Sequence, residues 1–249
     1  MLSEERFRTI LEILKQRKTA SVTELAEALN TSESTIRRDI TALAETGQLK
    51  KVYGGAAAIT KNFISDEPDV NTKASQNVAQ KEQIARYAAN LINNDDFIFI
   101  DAGTTTLRLI DFIQNTKATF VTNGIAHAKA LAVKGFKVYI IGGEFKASTE
   151  AITGSAAINN IRNFNFTKCF LGTNGISIDN GFTTPDIEEA LVKQSALENS
   201  YVSFVLADSS KFDTVSSVTF AKLEQACIIT DTLTDRKYLE KAIIKEVSV

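Results

Sequence analysis

The chain has 249 residues, above the usual single-domain size, so a domain of about 180 residues plus a small module is expected. Its 44% hydrophobic and 23% charged residues exclude a disordered or fibrous chain. The net charge of −2 does not by itself suggest a nucleic-acid binder, yet residues 1 to 61 hold ten Lys and Arg against eight Asp and Glu, concentrated at positions 37, 38, 50 and 51.

From Ser3 to Arg17, Phe7, Ile10, Leu11, Ile13 and Leu14 recur at helical spacing, which predicts an amphipathic first helix. The charges in these first twenty residues exclude a signal peptide, and no apolar run reaches the roughly 18 to 20 residues of a membrane span, so a cytoplasmic protein is expected. Ser21 stands three residues before Glu24, the spacing of a capping box, and opens a second helix with an apolar face of Val22, Leu25, Ala26 and Leu29. Asn30 and Thr31 end it. Ser32 then caps a third helix that turns Ile36, Ile40 and Leu43 inward and stops at Gly47. A tight turn between the second and third helices makes a helix-turn-helix. The outward residues Ser34, Thr35, Arg37, Arg38 and Thr41 offer hydroxyls, then guanidiniums, the mix that suits a major groove; an isolated helix with such a face is more often a solvated surface, and it is the context that favours DNA. The next segment, from Gly47 to Ala56, alternates polar and apolar residues and reaches Gly54-Gly55, which predicts a short basic hairpin carrying Lys50, Lys51 and Tyr53.

The string Ser34-Thr35-Ile36-Arg37-Arg38-Asp39-Ile40, followed by Leu43, Gly47, Leu49 and Val52-Tyr53-Gly54-Gly55-Ala56, resembles the winged helix-turn-helix of DeoR-type sugar-operon repressors. That family usually has His where Tyr53 stands. The resemblance implies that Arg37 and Arg38 contact DNA, with Ser32, Ser34, Thr35, Lys50, Lys51 and Tyr53 beside them. Asp39, whose charge DNA repels, is expected to hold an arginine by an ion pair.

Residues 61 to 80 lose the hydrophobic pattern and include the patch Asp66-Glu67-Pro68-Asp69, so they read as a linker between a DNA-binding domain (1–60) and a second domain (81–249). In the second, helices over 81–92, from Leu107, and over 125–133 alternate with the apolar strands 97–100, 118–122 and 137–141, which predicts a parallel sheet covered on both faces. Ligands gather at the carboxy ends of such strands. There lie Asp101-Ala102-Gly103-Thr104-Thr105-Thr106, Thr122-Asn123-Gly124 and Gly142-Gly143-Glu144; any one of them could be a plain turn, but the first combines a tight glycine turn with hydroxyls and N–H groups suited to phosphate. Further on, a strand over 168–171 precedes Gly172-Thr173-Asn174-Gly175, the stretch 181–186 precedes a helix over 187–198, and a strand over 201–206 ends in Ala207-Asp208-Ser209-Ser210-Lys211. Glu189 and Lys193 are four apart, which on a surface helix would be a solvent ion pair. Cys169 and Cys227 lie in apolar runs and read as core residues; with His127 alone they form no metal site, and no cofactor is expected.

These segments also resemble the DeoR-type effector domain, which is similar to the fold of sugar-phosphate isomerases and coenzyme-A transferases. The resemblance runs from Arg6 to Asp231 and implies that Asp101, Gly103, Thr104, Thr105, Thr106, Thr122, Asn123, Gly142, Gly143, Gly175, Thr183, Glu189, Lys193, Asp208 and Lys211 line an effector pocket, with Lys81 as a weaker addition. Lys193 and Lys211 would meet phosphate, and Asp101 and Glu189 sugar hydroxyls. The implied function is a homo-oligomeric repressor, dimer or tetramer, that binds double-stranded operator DNA and is released by a phosphorylated sugar. The runs 181–190 and 207–212 look most like fructose-operon repressors, which respond to fructose 1-phosphate; a lactose- or tagatose-pathway phosphate would use the same chemistry. The alternative of a DNA-tethered isomerase needs a carboxylate base. Glu189 could serve, but Asn174 stands where such isomerases carry an acid, so a non-enzyme is expected.

Overall fold

A computed structural model of the protein describes residues 2–58, 63–64, 68–114 and 116–247, which divide into two units, residues 1–61 and 62–249. In the first, α1 (Ser3–Arg17) buries Ile10 and Leu14 and ends at Lys18, whose φ of 66° breaks the helix before β1 (Thr19–Ser21). Ser21 and Glu24 form the expected capping box of α2 (Val22–Ala28): Glu24 N–H donates to Ser21 Oγ at 3.1 Å, and Ser21 N–H donates to the Glu24 carboxylate at 2.7 Å. Asn30, at φ 47°, makes the turn to α3 (Glu33–Glu45), which Ser32 caps. Strands β2 (Leu49–Val52) and β3 (Gly55–Ala58) pair as a hairpin, and β1 completes an antiparallel sheet in the order β1-β3-β2.

Two details differ from the sequence reading. β1 is three residues long, too short for a periodicity to show, and it is a strand only because β3 pairs with it. The hairpin loop is Tyr53-Gly54, not Gly54-Gly55, since Val52 pairs with Gly55 and Gly54 alone takes the left-handed φ of 78°. Gly55 lies inside β3, where a Cβ would come within 2.2 Å of the Ala20 carbonyl oxygen.

The second unit begins with β4 (Phe63–Ile64), α4 (Val70–Ser75) and α5 (Val78–Ala89). The stretch expected to be a linker is therefore largely structured. Asp69 caps α4, and β4 pairs with a later strand, whereas Asp66 and Glu67 of the acidic patch lie outside the described residues. The chain continues through β5 (Phe97–Ile100), α6 (Thr104–Phe112), β6 (Thr119–Thr122), α7 (Ile125–Val133) and β7 (Lys137–Ile140). A hairpin of β8 (Glu144–Lys146) and β9 (Ala151–Thr153) leads to α8 (Gly154–Arg162) and β10 (Phe166–Gly172). Then come β11 (Gly175–Ser177), β12 (Gly181–Thr184), α9 (Ile187–Glu198), β13 (Ser200–Leu206), β14 (Val215–Ser216), β15 (Val218–Ala221), β16 (Cys227–Thr230) and β17 (Ile244–Glu246).

Among the described residues the central sheet has seven strands, all parallel, in the order β17-β16-β13-β10-β5-β6-β7. Successive side chains of each strand face opposite sides. Ile98, Ile100, Phe120 and Phe170 accordingly pack with α5 and α6 on one face, while Phe99, Val121, Cys169, Leu171 and Val205 pack with α8 and α9 on the other. A small antiparallel sheet, β11-β12-β15, adds Ile176, Phe182 and Phe220 to the second layer.

The strand order matters for function. The chain runs outward from β5 through β6 to the β7 edge, then crosses back to lay β10, β13, β16 and β17 on the other side of β5. The winding direction reverses between β5 and β10, and at such a switch the flanking connections leave on opposite faces and open a crevice at the strands' carboxy ends.

Candidate functional site

A cleft occupies that switch point. The loops after the three adjacent strands β5, β10 and β13 supply its floor: Ala102 to Thr106, Gly172 to Asn174, and Leu206 to Asp208. Lys211 follows in the turn after β13, Glu189 and Lys193 enter from α9, and Thr149 comes from the β8–β9 hairpin. Val70, Lys73, Gln76, Asn77 and Lys81 close another side.

Charge is unevenly compensated around this cleft. Lys193 and Asp101 form an ion pair at 2.5 Å between side chains 5% and 2% exposed, and Asp101 Oδ2 also accepts from Gly172 N–H at 3.0 Å. The Glu189 carboxylate accepts from Lys146 Nζ at 2.9 Å and Thr149 Oγ1 at 2.7 Å, and Lys146 also meets Asp186 at 3.0 Å. Glu189 and Lys193 are thus buried and engaged with other elements, so the alternative of a solvent ion pair between them does not hold. Lys81 donates to the Lys73 carbonyl; burial pulls its ammonium below the usual lysine range, and Asp208 works against that shift. Lys211, half-buried, has no carboxylate within ion-pair reach among the described residues. In the same cleft α6 starts after Gly103 with no side-chain cap, so its first N–H groups lack intrahelical acceptors and carry the positive end of the helix dipole.

The first unit presents a second candidate surface, along α3 and the hairpin. Arg37, Arg38, Thr41, Lys51 and Gly54 line one groove between them. Arg37 pairs with Glu33 at 3.0 Å, and Glu33 also accepts from Thr23 of α2 at 2.8 Å, so the guanidinium is held in place across the helix-turn-helix. The same two bonds keep the Glu33 carboxyl below its usual range, that from Thr23 most of all. Arg38 is exposed with no ion-pair partner among the described residues, Lys51 donates to Thr41 Oγ1 at 3.3 Å, and Tyr53 stands fully exposed at the hairpin tip beside exposed Lys50. The Ser32 hydroxyl is occupied in capping Thr35 N–H and sharing hydrogen bonds with the Ser34 and Thr35 hydroxyls, so it is an organiser of the helix start. Asp39 is buried and takes a two-point ion pair from Arg6 of α1, at 2.8 and 3.0 Å. The arginine that Asp39 holds is therefore on another helix, which locks α3 against α1.

The family model described as the DeoR-like helix-turn-helix domain matches residues 6–62, and that of the DeoR C terminal sensor domain matches residues 76–232. The chain belongs to the DeoR family. Among curated DeoR-family relatives, a Bacillus subtilis (strain 168) protein named as the uncharacterized HTH-type transcriptional regulator FruR is 44% identical over 99% of both chains. A lactose phosphotransferase system repressor of Staphylococcus epidermidis is 33% identical over 95% of this chain and 94% of its own. Among solved structures, ribose 5-phosphate isomerase A from Methanocaldococcus jannaschii aligns with a TM-score of 0.42 and 12% identity over 55% of each chain.

Within this DeoR-family sensor domain the expected effector residues separate into two groups. Gly103, Thr104, Thr105, Thr106, Glu189, Lys193, Asp208, Lys211 and Lys81 line the cleft, and Asp101 lies behind it on Lys193. Thr122, Asn123, Gly142, Gly143, Gly175 and Thr183 do not line it. The first four end or follow β6 and β7, which lie on the side of β5 opposite β10 and β13. Thr122 Oγ1 accepts from Gly124 N–H, Asn123 Oδ1 accepts from Ala102 N–H at 2.7 Å and so braces the Asp101–Thr106 loop from outside, and Gly142 N–H donates to Asn160. A Cβ would stand 2.4 Å from the Thr153 carbonyl oxygen at Gly143 and 2.4 Å from the Thr214 carbonyl oxygen at Gly175, so both are glycine for want of space. Thr183 Oγ1 is buried, accepting from Ser216 N–H at 2.9 Å.

The cleft residues that sequence reasoning missed are those of α4 and its neighbours, Val70, Lys73, Gln76 and Asn77, together with Thr149 and Thr173. Asn77, at a left-handed φ of 50°, donates through Nδ2 to Asp208 Oδ1 at 3.0 Å and to Ser210 Oγ at 3.2 Å. The polarity that made this segment read as a linker is what lets it hydrogen-bond around a polar site. No local pattern distinguishes the two uses.

Proposed function

We propose that this protein is a cytoplasmic transcriptional repressor of a sugar-utilisation operon, binding its operator as a symmetric oligomer through α3 and the β2–β3 hairpin and released when a sugar phosphate fills the cleft. The observation that carries the effector class is the uncapped start of α6 in the same cleft as Lys81 and Lys211, cations without a carboxylate at hydrogen-bond distance among the described residues, a combination suited to a phosphate. Lys193 is spent on Asp101, so the phosphate contact falls to Lys211 and Lys81. Asp208, Thr149 and Asn77 offer hydroxyl-binding groups nearby. Fructose 1-phosphate is the first candidate, supported by 44% identity to the relative named FruR; the lactose-system relative keeps other hexose phosphates in the panel.

Catalysis is disfavoured on the cleft's own chemistry. The Glu189 carboxylate is held by Lys146 and Thr149, and Asn174, which carries no exchangeable carboxyl proton, accepts from Thr184 Oγ1 at 3.1 Å. Duplexes selected from a random library by the purified protein, then titrated at fixed salt with and without each sugar phosphate, test the proposal. One ligand is expected to weaken binding by about 5- to 150-fold. Unchanged affinity across the panel refutes release by a sugar phosphate, and turnover of any member refutes the sensor reading.

A further inference from the structure

His127 is the single histidine of the chain and lies on α7, 4% exposed. Its Nε2 is 3.1 Å from the Gly103 carbonyl oxygen, 3.2 Å from Thr106 Oγ1 and 3.3 Å from Gly103 N. Its Nδ1 is buried with no hydrogen-bond partner among the described residues. Space for the ring comes from Gly124, at the start of the same helix: a Cβ there would stand 2.4 Å from Nδ1 and 2.9 Å from Cγ, although the Gly124 φ of −99° is open to any residue. Glycine is required by the imidazole and not by the turn.

Resting on the cleft as the effector site, we propose that His127 is a positioning residue that holds the Gly103–Thr106 turn from behind and fixes the backbone N–H groups meeting the effector's anionic group. Thr106 Oγ1 donates its one proton to a carbonyl, Asp101 O at 2.6 Å or Gly103 O at 2.9 Å, which leaves its oxygen to accept from the imidazole. Burial pushes the imidazole down to about 4, so the ring is neutral near pH 7 and only one nitrogen carries a proton. A proton on Nδ1 would be a buried donor with no acceptor, the costlier orphan; a proton on Nε2 has acceptors at 3.1 and 3.2 Å. With Nε2 donating, it cannot also accept from Gly103 N–H. The Gly103 N–H points at the ring, so the groups left for an anion are the N–H groups that open α6.

The test uses full-length 15N-labelled protein, whose one imidazole gives one long-range 1H–15N pattern, titrated with inorganic phosphate and in parallel with fructose 1-phosphate. The expected result is a neutral Nε2–H tautomer at pH 7 whose ring nitrogens and Gly103 amide shift on one saturation curve. A proton on Nδ1, a charged ring, or ring signals that stay still while the amide saturates overturns the inference. His127→Leu should lower anion affinity by about tenfold, and His127→Gln, which restores an N–H donor, should recover part of it. A folded His127→Leu protein that binds like wild type overturns the positioning role and leaves the cleft standing. Wild type that binds neither anion overturns the effector site and this inference together. Should His127→Leu not fold, the tautomer and titration of the wild type decide.

Discussion

Replacing Asp101 with Asn keeps the shape of the side chain and removes the carboxylate charge that Lys193 meets at 2.5 Å. With the two side chains 2% and 5% exposed, solvent cannot substitute for it. Breaking such a pair typically costs about 3–5 kcal/mol. An independent ceiling comes from the lysine's escape route: shedding its proton at pH 7 from an ordinary value near 10.4 costs about 4.6 kcal/mol. Asp101→Asn should therefore lower the unfolding free energy by about 3–5 kcal/mol, a large part of the roughly 5–15 kcal/mol that a domain possesses. Urea unfolding of wild type, Asp101→Asn, Lys193→Met and the double variant measures it. The double variant, with no buried charge left at this position, should be more stable than Asp101→Asn alone, giving a coupling of at least about 1 kcal/mol. A cost below about 1 kcal/mol for Asp101→Asn, or strictly additive variants, refutes the reasoning.

His127 makes the protein acid-sensitive above the carboxylate range. Its folded-state value of about 4 lies below the ordinary 6.5, so its contribution is complete above about pH 6.5, falls as the unfolded chain takes up the proton, and levels off near pH 4. Wild type should lose up to about 3 kcal/mol across that window relative to His127→Gln, read from urea midpoints at stepped pH; parallel profiles contradict it. Asp39→Ala removes the two-point ion pair to Arg6 and should cost about 2 kcal/mol while weakening all DNA sequences alike; loss of sequence preference instead would mean that Asp39 reads bases. Arg38→Ala should reduce the slope of log affinity against log salt by about 1 if the side chain meets a phosphate, whereas relaxed specificity at one base pair with an unchanged slope assigns it to a base edge.

The amino-terminal unit was largely legible in the sequence because its determinants are local. The Ser21–Glu24 box, the Ser32 cap, the positive-φ Gly47 and the helical repeat of Ile36, Ile40 and Leu43 each act within a few residues. Helix α9 over 187–198 and strand β5 over 97–100 likewise stand where their apolar patterns place them. Sequence also brought out the Asp101–Thr106 loop, since a strand end, a glycine and three threonines are neighbours in the chain. What only the tertiary structure decided is which strand ends meet. Read in chain order, β5, β6 and β7 appear as equal contributors, but hydrogen-bonded pairing puts β10 against β5 and β13 beyond it, on the side where the cleft opens, while β6 and β7 lie on the other side of β5 with β7 at the edge. Thr122, Asn123, Gly142 and Gly143 thereby fall outside the cleft lining, while Asn77 and Thr149 line it and Lys146 braces Glu189, all from segments with no marked pattern. The same distance in space turned Glu189 and Lys193 from an apparent helix-surface pair into two separate buried ones, because each found a closer partner far away in the chain. Local propensity is encoded residue by residue; the order of parallel strands depends on crossovers of dozens of residues, and a cleft built at their switch point inherits that dependence.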